Sequence, residues 1–379
     1  MSRRALLYGA TGFSGAALAE ALADLGDNLL LGGRDPARLA PLAERLGLAW
    51  RAFPLDDSPA AADALEDVDV VLNAAGPFQA TARPMLTAAL ATGTDYLDLA
   101  GEWPVFELAR GLGPAALGAG VMLMPGVGFS IVAGDCLLAM AKAAVPGAVR
   151  LRIATSRPHV MSRGSVATAL SLGSDETLVC RAHRLHSLPA GRLTADFDFG
   201  AGRTRAVSIP WPDVVSAPVS TGIGEVEAYA EAPALGRLAW PASRAALDMW
   251  DRLLPGAADA WQRLLVAAVP QAPPAALLAD AGFTLVAEAE DPWRRRTTLR
   301  MRAADGYGFT TVSAAAILRR VLAGERTPGY RTPSLEFGAR LPLELGIARF
   351  DSGPGLLDPL ARVRRPAAPP AGTTDALHQ

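Results

Sequence analysis

Leu6-Leu7-Tyr8-Gly9-Ala10-Thr11-Gly12-Phe13-Ser14-Gly15 reads as a strand that runs into a glycine turn and then a helix. The glycines fall at Gly9, Gly12 and Gly15, and the Ala-rich run from Ala16 to Leu25 keeps helical apolar spacing until Gly26. Each glycine has a physical reason to be there. The first permits a tight bend, the second lets a pyrophosphate approach the backbone, and the third lets helix and strand pack closely. Amide groups at the helix start then face an anion, aided by the helix dipole. Such a triplet means little by itself in an Ala/Gly-rich chain, but between a strand and a helix it specifies a dinucleotide cradle.

Working outward, the next apolar run, Asn28 to Leu31, ends at Gly32-Gly33-Arg34-Asp35. A site for NAD usually puts an acidic residue at this strand end to accept the ribose 2′-OH. Here glycine and arginine stand instead. A guanidinium suits a 2′-phosphate and gains little from a bare hydroxyl, so the residues point to NADP. Asp35-Pro36 has the form of an N-cap followed by Pro at the first helical position, which puts Arg38 within reach of the same phosphate. The competing reading is a solvated helix start carrying two surface arginines.

Strand and helix patterns then alternate. A helix is expected over Pro36 to Leu46 and a strand over Ala49 to Phe53, ending near Asp56-Asp57. Further strands are expected at Val68 to Asn73, Asp95 to Leu99 and Val121 to Met124, with helices at Pro59 to Glu66, Ala82 to Ala91 and Pro104 to Leu117. Six parallel strands with helices on both faces make a doubly wound α/β sheet of Rossmann type. Ligands of such sheets bind beyond the strands' carboxyl ends. Three small-residue loops sit there: Asn73-Ala74-Ala75-Gly76-Pro77-Phe78, Asp98-Leu99-Ala100-Gly101-Glu102 and Pro125-Gly126-Val127-Gly128-Phe129-Ser130. Asp98 and Glu102 are candidates for proton transfer or electrostatic help, because partial burial at a strand end raises a carboxyl pKa. Capping of the following helix is the plain alternative for each.

From about Val149 the texture changes. Val149 to Thr155, Gly224 to Ala230, Thr284 to Glu288 and Arg294 to Arg302 read as strands, and Leu193 to Phe199 with Arg203 to Ile209 read as a hairpin. A second α+β domain of mainly antiparallel strands and helices is expected. Helices are expected over Arg163 to Leu172, over the Trp-bearing stretch Leu235 to Val269 and over Gly308 to Leu322. The division expected is a cofactor domain over 1–147, a substrate and dimerisation domain over 148–330, a segment over 331–365 packing back on the first domain, and a flexible tail over 366–379.

Bulk properties narrow the class. The 379 residues suit two domains, and a formal net charge of −2 argues against nucleic acid as the main partner. Cys136 and Cys180 lack metal-ligand spacing and fit a reduced, cytoplasmic chain. The charge-free stretch from Gly111 to Gly134 has membrane-span length, but repeated Gly and Pro interrupt it, so no transmembrane segment is expected. Lys142 is the single lysine, and Leu138 stands four residues before it. Schiff-base chemistry and a tyrosine–lysine proton relay are thereby set aside. The tryptophans between 235 and 269 read as core or homodimer contact, with peripheral membrane contact as the second reading.

Taken together, Gly9 to Gly15, Gly33-Arg34-Asp35, Asn73 to Phe78, Tyr96 to Glu102, and Gly126-Val127-Gly128-Phe129 with Asp135 resemble the saccharopine dehydrogenase-like family of NADP-dependent oxidoreductases. Ser220-Thr221-Gly222-Ile223 and Asp305-Gly306-Tyr307 look like that family too. The resemblance implies an N-terminal Rossmann domain and hydride transfer from NADPH to a small or lipid-like substrate. The acceptor would be an imine C=N or, as in relatives that resemble trans-acting enoyl reductases, an enoyl C=C. Expected cofactor contacts are Gly9, Thr11, Gly12, Phe13, Ser14, Gly15, Gly33, Arg34, Arg38, Asp56, Asn73, Ala75, Gly76 and Pro77, with no metal. Saccharopine itself carries several carboxylates and needs several basic groups. Arg152, Arg157, Arg163 and Arg181 form no motif for that, so another substrate is expected. A non-catalytic NADP(H)-binding sensor or partner protein is the alternative from a different class.

Overall fold

The computed structural model describes residues 3–156, 176–232, 264, 266–269, 282–303 and 305–351. In the first half, β1 (Ala5–Tyr8), α1 (Phe13–Ala21), β2 (Leu29–Gly33), α2 (Pro36–Leu46), β3 (Ala49–Ala52) and α3 (Ser58–Asp63) alternate. They are followed by β4 (Val70–Asn73), α4 (Phe78–Thr92), β5 (Asp95–Asp98), α5 (Trp103–Ala119), β6 (Met122–Met124) and α6 (Phe129–Ala144). Local sequence accounts for these boundaries. The Asp35 carboxylate caps α2 by accepting the Ala37 N–H at 3.0 Å, Pro36 opens the helix, and Gly47 closes it in the left-handed region. Helix α1 stops at Ala21, earlier than its apolar spacing suggests. A 3₁₀ turn over Ala23–Asn28 takes over, and Gly26 lies inside that turn with φ +53° instead of capping the helix.

The second half contains β7 (Arg150–Thr155), β8 (Glu176–Arg181), β9 (Arg184–Pro189), β10 (Thr194–Asp198), β11 (Arg203–Ser208), α7 (Asp213–Thr221) and β12 (Val226–Glu231). After these come β13 (Phe283–Glu290), β14 (Arg296–Ala303), α8 (Gly306–Leu322), β15 (Gly329–Tyr330), α9 (Pro333–Phe337), α10 (Leu341–Glu344) and β16 (Ala348–Phe350). The expected helices over 163–172 and most of 235–269, and the expected tail over 366–379, lie outside the described residues.

Two sheets result. The first has the order β15-β6-β5-β4-β1-β2-β3, all parallel, so the six expected strands are joined by a seventh supplied from far along the chain. Strands β1, β2, β4 and β5 are buried along their whole length, as strands covered on both faces must be. The second sheet runs β10-β11-β12-β7-β13-β14-β16, with β8 and β9 attached through β12. Its pairs are antiparallel except β7 with β12. The hairpin expected across Gly200-Ala201-Gly202 is present, with Asp198 opposite Arg203.

Helix α6 joins the sheets. It leaves the carboxyl end of β6, and Ile131, Val132, Leu137 and Leu138 are fully buried in one core shared by both sheets. The chain returns to the first sheet at β15, then supplies β16 to the edge of the second. At the opposite, amino-terminal edge of the first sheet, the buried Asp95 carboxylate binds Arg3 at 2.8 Å and Arg326, and accepts the Met122 N–H at 2.8 Å. That ion cluster ties the start of the chain to the segment leading into β15.

Candidate dinucleotide site

The glycine turn is pinned by backbone alone. The Gly32 carbonyl, on β2, accepts the amides of Gly9 and Ala10 at 2.9 and 3.1 Å, and the Gly9 carbonyl accepts the Gly12 amide at 3.0 Å. Gly9 has φ +84°, and a Cβ there would stand 2.7 Å from the Ala75 nitrogen. A Cβ on Gly15 would overlap the Gly9 carbonyl oxygen. These two positions therefore require glycine, for conformation and close approach at Gly9 and for helix–strand contact at Gly15. Gly12 is the N-cap of α1 and offers no side chain to its amides. The start of α1, including Phe13 and Ser14, thus presents helix-terminal N–H groups where a diphosphate needs donors.

The sheet order reverses between β1 and β4, and the turn lies at that switch point. The residues after β4 press against it. The Asn73 side chain is buried, its Oδ1 accepts the Ala75 amide at 3.0 Å, and its Nδ2 donates to Thr81 Oγ1 at 3.2 Å. Thr81 in turn donates to the Ala75 carbonyl at 2.6 Å. Gly76-Pro77 is cis, and α4 begins at Phe78. Asn73, Ala75, Gly76 and Pro77 are thereby gathered beside Gly9.

On the other side of β1, the ends of β2 and β3 bring Gly33, Arg34 and Asp56 together. Tyr8 donates to the Phe53 carbonyl at 3.1 Å, tying β1 to the end of β3. Burial raises the Tyr8 pKa to about 12; the Arg34 guanidinium opposes that shift and Asp56 adds to it, so both charges act on the same hydroxyl. Arg34 is exposed and forms no ion pair among the described residues. Arg38 has a different use: its guanidinium donates to the Thr11 carbonyl at 2.9 Å and braces the glycine turn from α2.

Asp98 and Glu102 reach the same sheet edge, fully buried, with their oxygens held by donors from the chain itself. Asp98 Oδ1 accepts the amides of Ala100 at 2.9 Å and Gly126 at 2.7 Å, and Oδ2 accepts the Tyr96 hydroxyl at 2.7 Å. Burial pushes Asp98 up to about 7, against the Tyr96 hydroxyl and the Ala100 and Gly126 amides, which favour the charge. Glu102 spans two loops: Oε1 accepts the Phe78 amide at 3.0 Å and Oε2 the Gly101 amide at 3.1 Å. Geometrically, Asp98 couples the β5 loop to the β6–α6 loop, and Glu102 couples it to the start of α4.

Several contributors lie outside the expected cofactor and proton-transfer residues, although Ser130 and Asp305-Gly306-Tyr307 belong to stretches the sequence marks. Ser130, at the start of α6, donates to the Ala100 carbonyl at 3.1 Å. Helix α8 closes the same edge: Thr310 Oγ1 accepts the Phe129 amide at 3.1 Å, and Ser313 donates to the Val127 carbonyl at 2.9 Å. The Tyr307 ring meets the Phe13 ring edge-on at 5.1 Å, so Asp305-Gly306-Tyr307 packs on the glycine turn. The signal was present as an N-cap, since Asp305 accepts the Gly308 amide at 2.6 Å, but only tertiary structure shows what the capped helix touches. Phe129 continues into an aromatic cluster with Phe283 at 4.4 Å and Trp211 at 6.2 Å.

Asp135 belongs to a separate buried polar cluster behind the site. Its Oδ2 accepts the Ser334 amide at 2.7 Å, while its Oδ1 and both oxygens of the buried Asp213 have no hydrogen-bond partner among the described residues. Burial raises both carboxyls, and Asp135 adds a like-charge push on Asp213. Ser220, from the Ser220-Thr221 motif, lies close enough to stabilise the Asp135 charge. Among the described residues no group of three or more His, Cys, Asp or Glu could hold a metal, and no helix is long and apolar enough to cross a membrane.

Comparison with known proteins places this geometry. Residues 5–120 match the family model described as the saccharopine dehydrogenase NADP binding domain. A trans-acting enoyl reductase of Mycobacterium ulcerans is 38% identical over 104 residues, 26% of this chain and 25% of that protein. A putative trans-acting enoyl reductase of Mycobacterium tuberculosis is 39% identical over 108 residues, 27% of this chain and 26% of that protein. The matched stretch thus spans about a quarter of the curated relatives' length. The fold is shared more widely. Apo saccharopine dehydrogenase (L-Glu forming) from Saccharomyces cerevisiae aligns with TM-score 0.59 and 14% identity over 92% of this chain and 100% of that one. Homospermidine synthase from Legionella pneumophila, solved with NAD, aligns with TM-score 0.61 and 10% identity over 93% of this chain and 92% of that one. The glycine positions that a Cβ would fill, the bare N-terminus of α1 and the family match agree: residues 5–120 form a dinucleotide-binding domain that matches the saccharopine dehydrogenase NADP binding domain.

Proposed function

We propose that the chain is an NADPH-dependent reductase of a conjugated carbon–carbon double bond in an apolar, acyl-type substrate. NADPH would lie across Gly9, Thr11, Gly12, Phe13, Ser14 and Gly15, with Gly33 and Arg34 at the 2′-phosphate and Asp56 near the adenine. The loop Asn73, Ala75, Gly76, Pro77 would support the nicotinamide ribose. Bound there, NADPH would supply the hydride for the β-carbon of the double bond, with a proton added at the α-carbon. Such chemistry asks the protein mainly for orientation, exclusion of water and one proton source.

The observation that carries the substrate class is the fate of Arg152 and Arg181; Arg157 and Arg163 lie outside the described residues. Arg152 is ion-paired with Glu288 and Arg181 with Glu227, so these two cations are already neutralised. Beside the sheet edge stand Phe129, Trp211 and Phe283 instead. That lining suits an uncharged chain better than a polyanionic amino acid. The names of the partial-length relatives favour the same acceptor. In this proposal Asp98 and Glu102 are positioning residues that hold the three loops in register, and the α-proton comes from water.

The test is anaerobic NADPH oxidation by the purified chain, offered α,β-unsaturated thioesters of increasing chain length, cyclic imines, and keto acid plus amine pairs. Turnover of enoyl thioesters that improves with chain length supports the proposal, and turnover confined to imines overturns it. The occupied oxygens of Asp98 and Glu102 specifically favour the alternative of an NADP(H)-binding sensor, since both carboxyls are engaged by groups of the chain itself and not aimed at a substrate. Saturable NADPH binding with no oxidation across the whole panel would select that alternative.

A further inference from the structure

We propose that one end of the second sheet docks on an anionic phospholipid bilayer, with Trp293 as the inserted side chain. Strand register assembles this end from three separate stretches. Glu290 at the end of β13 pairs with Arg150 at the start of β7 and with Arg296 at the start of β14. Cys180, near the end of β8, and Leu151 both pair with Val226 at the start of β12. The β13–β14 turn, the β8–β9 turn and the α6–β7 connection therefore emerge together.

At the β13–β14 turn Trp293 is 74% exposed, the most exposed large apolar side chain among the described residues. The turn that carries it is built, not slack. The Asp291 carboxylate accepts the amides of Trp293 and Arg295, each at 2.9 Å, and the Arg295 guanidinium lies over the indole at 5.1 Å. Val149, 47% exposed, is the neighbouring apolar group, its amide bonded to the Glu290 carbonyl at 2.8 Å.

Charge surrounds these groups with one sign in excess. Arg184 and Arg294 are exposed and form no ion pair among the described residues, and the Lys142 ammonium donates to a carbonyl, Pro146 O, which leaves its charge uncompensated. Arg295 and Arg296 are offset by Asp291 and Glu290. A chain of net charge −2 thus carries a cationic end. An indole prefers the headgroup layer of a bilayer, where its ring is buried and its N–H stays wet, and flanking cations are held by anionic lipid. A single aromatic at a short turn suits insertion into a fluid surface more than the broad apolar patch a stable protein interface requires. The proposal does not depend on hydride transfer, because it is read without turnover.

The experiment is flotation of the full chain with vesicles of phosphatidylcholine alone or mixed with phosphatidylglycerol, at low and high salt. Flotation with the anionic vesicles only, weakened by salt and reduced roughly tenfold by Trp293→Ala or by Arg184→Glu with Arg294→Glu, is the expected result. Trp293→Phe should retain part of the binding, and unchanged thermal midpoints show that the variants fold. Absence of flotation with anionic vesicles overturns the proposal, as does flotation indifferent to both sets of substitutions. Salt-sensitive capture by an immobilised acidic protein without vesicle binding would also overturn it.

Discussion

At the scale of single residues, each glycine of the turn is judged by what a methyl group would meet. At Gly15 that group would overlap the Gly9 carbonyl oxygen. Overpacking of this kind costs about 1–3 kcal/mol, and here it also displaces the amides that face the diphosphate. Gly15→Ala should therefore lower the thermal midpoint and weaken NADPH at least about tenfold by fluorescence titration. Arg34 is the discriminating cation, because Arg38 is held by Thr11. Removing a charged hydrogen bond costs roughly 1.5–3 kcal/mol, so Arg34→Ala should weaken NADPH by about ten- to a hundred-fold and leave NADH unchanged. Equal losses for both coenzymes would remove the phosphate contact. The glycine turn was legible in the sequence, because a strand–glycine–helix unit is read from neighbours within a dozen residues. The Arg38 contact was not legible: whether a guanidinium reaches a phosphate or a carbonyl depends on how α2 lies over the turn.

Among the connecting elements, the two buried carboxylates act as fasteners. Glu102→Gln keeps the shape but turns an amide donor toward a backbone N–H, leaving one buried donor unpaired. The expected cost is about 1–3 kcal/mol in denaturant unfolding, with KM for NADPH rising as the Phe78 and Gly101 amides lose their common anchor. The pH response follows from the raised carboxyls. Asp98, pushed up to about 7, binds a proton in the folded chain at pH values where the unfolded chain has released it. Its contribution is complete below about pH 4 and is lost as pH rises to about 7, on the order of 4 kcal/mol at most. Asp135 and Asp213 are shifted in the same direction. Thermal midpoints should thus decline as pH rises through this range, and Asp213→Asn should flatten the slope; an unchanged slope would mean that Asp213 contributes no proton linkage. Sequence marked Asp98, Glu102 and Asp135 as strand-end or helix carboxylates but could not separate capping from chemistry. Their partners, such as Gly126 for Asp98 and Ser334 for Asp135, are 28 and 199 residues away.

For the whole molecule, the path of the chain sets cooperativity. It builds the first sheet, crosses through α6 to the second, returns to the first at β15 and ends the described residues on the second at β16. One core runs across both sheets. A single calorimetric transition is expected, and two resolved transitions would mean that α6 does not couple them. Arg326→Ala strips one of two cations from the buried Asp95 cluster; because Arg3 and the Met122 N–H still hold the carboxylate, the cost falls below the figure of about 3–5 kcal/mol for an uncompensated buried charge. The midpoint should fall while the NADPH dissociation constant holds, because Asp95 opens β5 and the dinucleotide cradle lies at the other strand ends.

What sequence determined by itself was local: a parallel sheet opening on a glycine turn, a cation where a ribose acid would stand, and a second unit rich in antiparallel strands. Those features depend on periodicity, caps and turn residues that act over a few positions. Tertiary structure alone decided the rest. The two residues of β15 are too short to carry a pattern, and they form a strand only because β6 offers an unpaired edge. The place of Tyr307 over Phe13, the neutralisation of Arg152 and Arg181, and the shared end that presents Trp293 likewise depend on pairings between distant segments. Long-range contact is set by the packing of whole elements, and that information is spread across the chain instead of residing in any one stretch of it.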